Sequence, residues 1–171
     1  MSIVLIGYRA CGKTSIGRKL ADRLWQPFVD TDDVVVKKAG KSVKDIFEQE
    51  GEERFRQLEA EAIKEVAKLH EHVIALGGGG ATRSENVKVL RDAGHKLIYL
   101  RCDPPELFRR IQMDPNTGTS RPPLTKGGGG IEEITAVMKQ REPAYRAAAQ
   151  AELDVTRLSV DEALVYVTRL A

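Results

Sequence analysis

The chain has 171 residues, with 27 basic and 25 acidic side chains, a formal net charge of +2 and 42% hydrophobic residues. That size and composition suffice for a buried core without disulfide or metal staples and exclude a disordered chain. The balanced charge gives no reason to expect nucleic acid or a membrane as partner, no stretch approaches a span of about 18 apolar residues, and Cys11 and Cys102 make neither a disulfide framework nor a metal-ligand spacing.

Ile3 to Ile6 is a short apolar run that stops at Gly7, the pattern of a buried strand. From Thr14 a helix is predicted, with Ile16, Leu20 and Leu24 four residues apart and Pro27 as its stop. Phe28 to Asp30 reads as a second strand. Ser42 is placed to cap a helix through Phe47, with Asp45 at the third helical position, and a longer helix carries Phe55, Leu58, Ala62, Val66 and Leu69 on one face. His72 to Leu76 reads as a third strand. Ser84 then caps a helix that buries Val87 and Leu90 and stops before Gly94, and Leu97 to Arg101 is a fourth strand. Asp103-Pro104 opens another helix. Met113 to Gly130 has no apolar period and holds three of the seven prolines and five glycines, so it reads as a long mobile loop. Ile131 to Ala149 is mostly helical with a kink or break at Pro143, Leu153 to Val155 is a last strand, and Ser159 to Leu170 is a closing helix. Strands alternating with helices predict an α/β fold over a single domain, 1–171, with a parallel sheet covered on both faces.

One segment carries chemistry by itself. Gly7-Tyr-Arg-Ala-Cys-Gly-Lys-Thr14 fits G-x-x-x-x-G-K-[ST] and lies between a strand and a helix, where a phosphate-binding loop must lie. The backbone N–H groups of such a loop curl round an anion, and the helix behind presents its positive end to it. Ala10, Cys11, Gly12, Lys13, Thr14 and Ser15 are therefore expected to bind a nucleotide, Lys13 reaching the β- and γ-phosphates and Thr14 ligating Mg²⁺. ATP or GTP with Mg²⁺ follows. Cys11 reads as a small side chain tolerated in the loop and Cys102 as core packing. His70, His72 and His95 are scattered around strand starts and read as structural.

The second strand ends in Phe28-Val-Asp-Thr-Asp-Asp33. Two residues apart on a segment read as extended, Asp30 and Asp32 would face one side of the sheet's C-terminal edge, where open α/β sheets bind ligands. One carboxylate suits a Mg²⁺ shell and the other can accept a proton from a hydroxyl nucleophile. Taken alone, such a cluster at a helix start would be a cap. Eight of the fifteen glycines fall in two runs, Gly77–Gly80 and Gly127–Gly130, each a slack linker or a place where the backbone comes close to something.

The loop, Asp30-Thr-Asp32, Phe55-Arg56 with Glu59, Gly77-Gly-Gly79, Arg121-Pro and Arg141 with Tyr145 occur in an order that resembles the shikimate kinases, over nearly the whole chain. The resemblance implies a fold like that of nucleoside monophosphate kinases: a three-layer P-loop kinase with a five-stranded parallel sheet, a substrate-binding region near 32–60 and a lid near 113–130. It implies transfer of the γ-phosphate of ATP to the 3-hydroxyl of shikimate, a step towards chorismate and the aromatic amino acids, by a cytoplasmic monomer. Asp32 matches the carboxylate that binds the substrate hydroxyls and is the candidate base; Asp30 matches the one near the metal. Arg56 and Arg141 match the pair that grips the substrate carboxylate, Gly77, Gly78 and Gly79 the backbone that closes on the ring, and Arg121 the lid arginine on the ATP phosphates. Arg110 or Arg157 is placed near adenine. The second glycine run is then a hinge between lid and helix. Arginine's planar fork suits a carboxylate as lysine cannot.

Two departures stand out. Ala10 occupies a loop position where glycine is usual, and is comfortable only at negative φ. Asp33 adds a third carboxylate, which would raise a neighbour's pKa. A kinase of the same fold with another acceptor, such as gluconate, is the alternative; the paired arginines and the Asp-x-Asp element argue against it.

Overall fold

The computed structural model describes residues 1–115 and 130–171. Five strands form one parallel sheet: β1 (Ile3–Ile6), β2 (Phe28–Asp30), β3 (Val73–Ala75), β4 (Lys96–Arg101) and β5 (Ala151–Asp154), in the order β2-β3-β1-β4-β5. Parallel neighbours need long crossovers, and the crossovers here are helices. Among the described residues these are α1 (Lys13–Leu24), α2 (Thr31–Ala39), α3 (Val43–Val66), α4 (Ser84–Asp92), α5 (Pro104–Met113), α6 (Ile131–Ala148) and α7 (Val160–Leu170), with a 3₁₀ turn at Gly80–Thr82. None of them is long and apolar enough to cross a membrane.

Strand β1 is the centre. Val4, Leu5 and Ile6 are wholly buried, because helices cover both faces of the sheet. After β1 the chain goes to β2 and β3 on one side, then crosses to β4 and β5 on the other. The strand order thus reverses at β1, and the crevice at its carboxyl end is where such a sheet binds ligands. A second, smaller apolar cluster lies off the sheet, between α2 and α3. It consists of Val35, Val43, Ile46, Phe55, Leu58 and Ala62, with the Phe47 and Phe55 ring centroids 4.7 Å apart.

Five local results differ from the sequence expectations or add to them. Helix α2 is absent from the hydrophobic pattern, since Val34-Val35-Val36 has no helical period and β-branched residues are weak helix formers. Its ends specify it: the Asp30 side chain caps it, Asp32 and Asp33 sit in the first turn, and Lys37 and Lys38 sit in the last. The two helices expected around 42–69 meet within α3 at Gly51, whose φ of 85° and ψ of 171° are not helical, and Ser42 caps the first by accepting from the Asp45 N–H at 3.0 Å. Ser84 is not a cap; Arg83 holds that position without a side-chain bond, and Ser84 is the first helical residue. Pro143 does not break α6. The helix runs through it, because Ile134, Met138, Tyr145 and Ala148 bury on both sides of the missing bond. The last strand begins earlier than expected, at Ala151, paired with Ile98.

Candidate active site

The loop after β1 turns over the carboxyl end of the central strand. Gly12 adopts φ 104° as the cap of α1, and Lys13 starts the helix. The buried Lys13 Nζ donates to the carbonyls of Gly7 at 2.8 Å and Tyr8 at 2.7 Å. Ala10 has φ 63°, in the left-handed region where an L-residue is strained by about 1 kcal/mol; the conformation in which alanine would have been comfortable is not the one it takes. A cavity of about 600 Å³ opens here, with Gly12, Lys13, Thr14 and Ser15 on one wall and Asp30, Asp32 and Asp33 on another. Cys11 does not line it. Its buried side chain tucks beneath the loop, 3.7 Å from Lys13 Nζ.

Asp30 and Asp32 meet in this cavity, but not as residues of one extended segment. Asp30 ends β2 and Asp32 lies in the first turn of α2. Asp30 Oδ1 accepts from the Asp32 N–H at 2.9 Å, while its Oδ2 accepts from the Thr14 hydroxyl at 2.9 Å. The carboxylate is therefore both a helix cap and the partner of the loop threonine. The Asp33 carboxyl is pushed above the usual range, first by burial and then by the Asp30 charge, with Arg18 opposing.

A groove of about 180 Å³ runs on from the loop, between Ser15 and Ile16 on one side and Val155, Leu158 and Ser159 on the other. Arg110 lines both spaces. Its guanidinium donates to Cys11 O at 3.3 Å, Val155 O at 2.9 Å and Glu106 at 2.8 Å. Bonds from Arg109 and Arg110 hold the Glu106 carboxyl down at about 2. Arg157 is exposed and does not line the groove, although its neighbour Leu158 does. Burial raises the Cys102 thiol to about 12, as suits a core cysteine.

The acceptor-side residues come together in a separate space of about 40 Å³. Arg9, Asp32, Arg56, Glu59, Gly79 and Arg141 are among those that line it, with Phe47 and Phe55 forming an apolar wall. Arg56 donates to Glu59 at 2.9 Å, and Glu59 is 1% exposed. Burial pushes the Glu59 carboxyl up and Arg56 pulls it down, with the net direction upward. The glycine run is explained by close approach, but of side chains. A Cβ on Gly79 would stand 2.1 Å from Arg56 Nη1, and one on Gly77 would stand 2.7 Å from Asp32 Oδ1 and 2.9 Å from Glu59 Oε1. Gly77 does not line the space; its N–H is held by the Thr31 hydroxyl at 2.9 Å. Gly78 and Gly79 do line it, and the Tyr145 hydroxyl donates to the Gly78 carbonyl.

Arg121 and Gly127 to Gly129 lie outside the described residues. Gly130, the last of that run, caps α6. Sequence reasoning gave no site role to Arg9, Thr31, Val43 or Phe47, and named Glu59 and Tyr145 only as companions. Arg9 occupies a position the phosphate-loop pattern leaves free, and Thr31 stands between the two aspartates that drew attention. Among the described residues no cluster of three His, Cys, Asp or Glu side chains could hold a metal alone.

A family model for shikimate kinase matches residues 9–170. A shikimate kinase of Rhodopirellula baltica is 40% identical over 169 residues, 99% of this chain and 89% of that protein. Another, of Symbiobacterium thermophilum, is 40% identical over 167 residues, 98% of this chain and 94% of that protein. Among solved structures, the shikimate kinase of Acinetobacter baumannii in complex with shikimate matches with a TM-score of 0.90 at 28% identity, covering 99% of this chain and 91% of that one.

Proposed function

The chain belongs to the shikimate kinase family, and from that premise we infer its reaction: the γ-phosphate of ATP passes to the 3-hydroxyl of shikimate, giving 3-phosphoshikimate and ADP. The observation that carries this reading is the junction of two spaces. The cavity over the phosphate loop and the small one between Arg56 and Arg141 share Arg9, Asp32 and Val43, so a donor in the first abuts an acceptor in the second.

Each residue's role follows from where it stands. Arg56 and Arg141 grip the acceptor carboxylate, and Gly78 and Gly79 let the ring lie against backbone. Glu59 keeps the Arg56 fork aimed, since an arginine tied on one edge loses less freedom on binding. Asp32 takes the proton of the attacking hydroxyl as the new oxygen–phosphorus bond forms. The bond from the γ-phosphorus to the bridging oxygen breaks, and its electron pair leaves with ADP. Lys13 and the loop N–H groups offset charge on the phosphates. The groove beyond Arg110 receives adenine.

Mg²⁺ fits the donor set: Thr14 and Asp30 offer hard oxygens at one edge of the nucleotide cavity, and this metal is usually held by one or two carboxylates plus substrate phosphates. Bound there, it would neutralise charge on the β- and γ-phosphates. We further propose that the chain acts as a cytoplasmic monomer. A coupled assay of ADP release tests the reaction. Turnover that depends on shikimate is expected; turnover with gluconate and none with shikimate would overturn the substrate assignment.

A further inference from the structure

Arg9 stands at the junction just described. Among the described residues three line both spaces: Arg9, Asp32 and Val43. One is a carboxylate and one is apolar, so Arg9 is the cation on the path between donor and acceptor. Its electrostatic surroundings differ from those of Arg56 and Arg110. Arg56 is paired with Glu59 and Glu52, and Arg110 with Glu106, whereas no carboxylate forms an ion pair with Arg9 among the described residues. Its Nε is buried and has no hydrogen-bond partner there. Tyr8, next to it in the chain, interacts with the Arg9 side chain, but burial pushes that phenol up and it is no counter-ion. Nor can the residue readily retreat: its backbone N lies 3.4 Å from where a Cβ on Gly78 would be, so loop and glycine run are packed together.

A half-buried guanidinium with a desolvated Nε and no carboxylate partner is costly for a protein to hold unless an anion completes it. The acceptor carboxylate already has Arg56 and Arg141, and the bound nucleotide has the loop and Lys13. The phosphoryl group, which Lys13 meets from the loop, must cross the junction that Arg9 lines, and on the product it stays on the acceptor side of that junction. Resting on the reaction assigned above, we propose that Arg9 is a catalytic residue whose guanidinium binds the oxygens of the phosphoryl group as it moves from ATP to the acceptor, and holds that group on the phosphorylated product. Its planar fork suits three spread oxygens, and it lines the same two spaces as Asp32, which takes the hydroxyl proton.

The test uses the full chain, with Arg9→Met and Arg9→Lys beside the unaltered protein. Turnover of shikimate by the unaltered protein comes first; its absence overturns the assigned reaction and leaves no phosphoryl path for Arg9 to serve. Given that turnover, Arg9→Met is expected to lower kcat by about 10- to 100-fold, the worth of a charged hydrogen bond, with both KM values within about threefold. Calorimetric titration is expected to show about tenfold weaker binding of 3-phosphoshikimate and unchanged binding of shikimate. Arg9→Lys should recover part of kcat. A kcat within about twofold of the unaltered protein, or equal weakening of shikimate and 3-phosphoshikimate, overturns the proposal. If Arg9→Met does not fold, the Arg9→Lys protein carries the same product-against-substrate comparison.

Discussion

The two halves of the active site are built in opposite ways. The phosphate cradle of the proposed nucleotide half comes from one continuous stretch, residues 7–15, mounted on the central strand and resting on the large core of the sheet. Its binding groups are mainly backbone, and Lys13, the cation at the start of α1, is tied to carbonyls of the same loop. The acceptor half is made of side chains that lie far apart in sequence, at Asp32, Arg56, Glu59 and Arg141, and its apolar wall belongs to the small cluster between α2 and α3. A backbone cradle constrains the sequence by spacing and tolerates many side chains. A side-chain clamp constrains it by identity, at positions that only the fold brings together. On the proposed reading the phosphate chemistry is generic, and substrate choice resides in the second half.

The comparison can be broken at several points. Asp32→Asn should have the largest effect, a fall in kcat of about 10²- to 10⁴-fold in the coupled assay, with nucleotide affinity by calorimetry nearly unchanged. Gly79→Ala should strike the acceptor half alone. The new methyl displaces the far end of Arg56, which can swing aside, so the fold survives while the KM for shikimate rises about 10- to 100-fold and the KM for ATP holds. Ala10→Gly addresses the nucleotide half in the opposite sense. Relieving a left-handed alanine should stabilise the protein by about 0.5–1 kcal/mol in urea denaturation.

The smallest effect should come from neither half. At the opposite end of the sheet, the buried His95 accepts the Ser2 N–H on Nδ1 at 3.2 Å and reaches Ala67 O with Nε2 at 2.9 Å, an arrangement that requires the neutral ring. Burial lowers its pKa, with His70 and the N-terminal amine acting in the same direction and the Ala67 bond opposing. The folded protein therefore binds this proton less readily than the unfolded chain. The stability it contributes is complete above the unfolded value of 6.5 and is lost as pH falls through and below it. Thermal midpoints between pH 7.5 and 5 should fall less steeply in His95→Gln, while the KM values of both variants stay together.

What could be read beforehand follows the same division. The phosphate loop was legible because its spacing is itself the chemistry, and β1, α1 and α7 were legible because their apolar patterns and caps agree with their packing. Arg56 and Arg141 were not legible from physical reasoning alone. An arginine on a helix is ordinarily a solvated charge, and only the resemblance marked these two. Helix α2 was hidden because its information lies in its ends and not in its period. Pro143 misled because a local rule was outweighed by burial on either side of it. Gly77 and Gly79 were flagged correctly as places of close approach, but what approaches them includes the catalytic side chains themselves, a fact no count of glycines contains.

Asp30 has one further consequence, which concerns how a lesion there should be interpreted. One oxygen fastens the first turn of α2 and the other fastens the loop threonine, so a single carboxylate joins the two halves. Removing it would loosen the helix that carries Asp32 and, at the same time, the hydroxyl that faces the phosphates. Loss of activity at this position is then no measure of metal ligation by itself, because a group that is a cap and a fastening, and is proposed as a ligand, cannot be deleted in only one of those capacities.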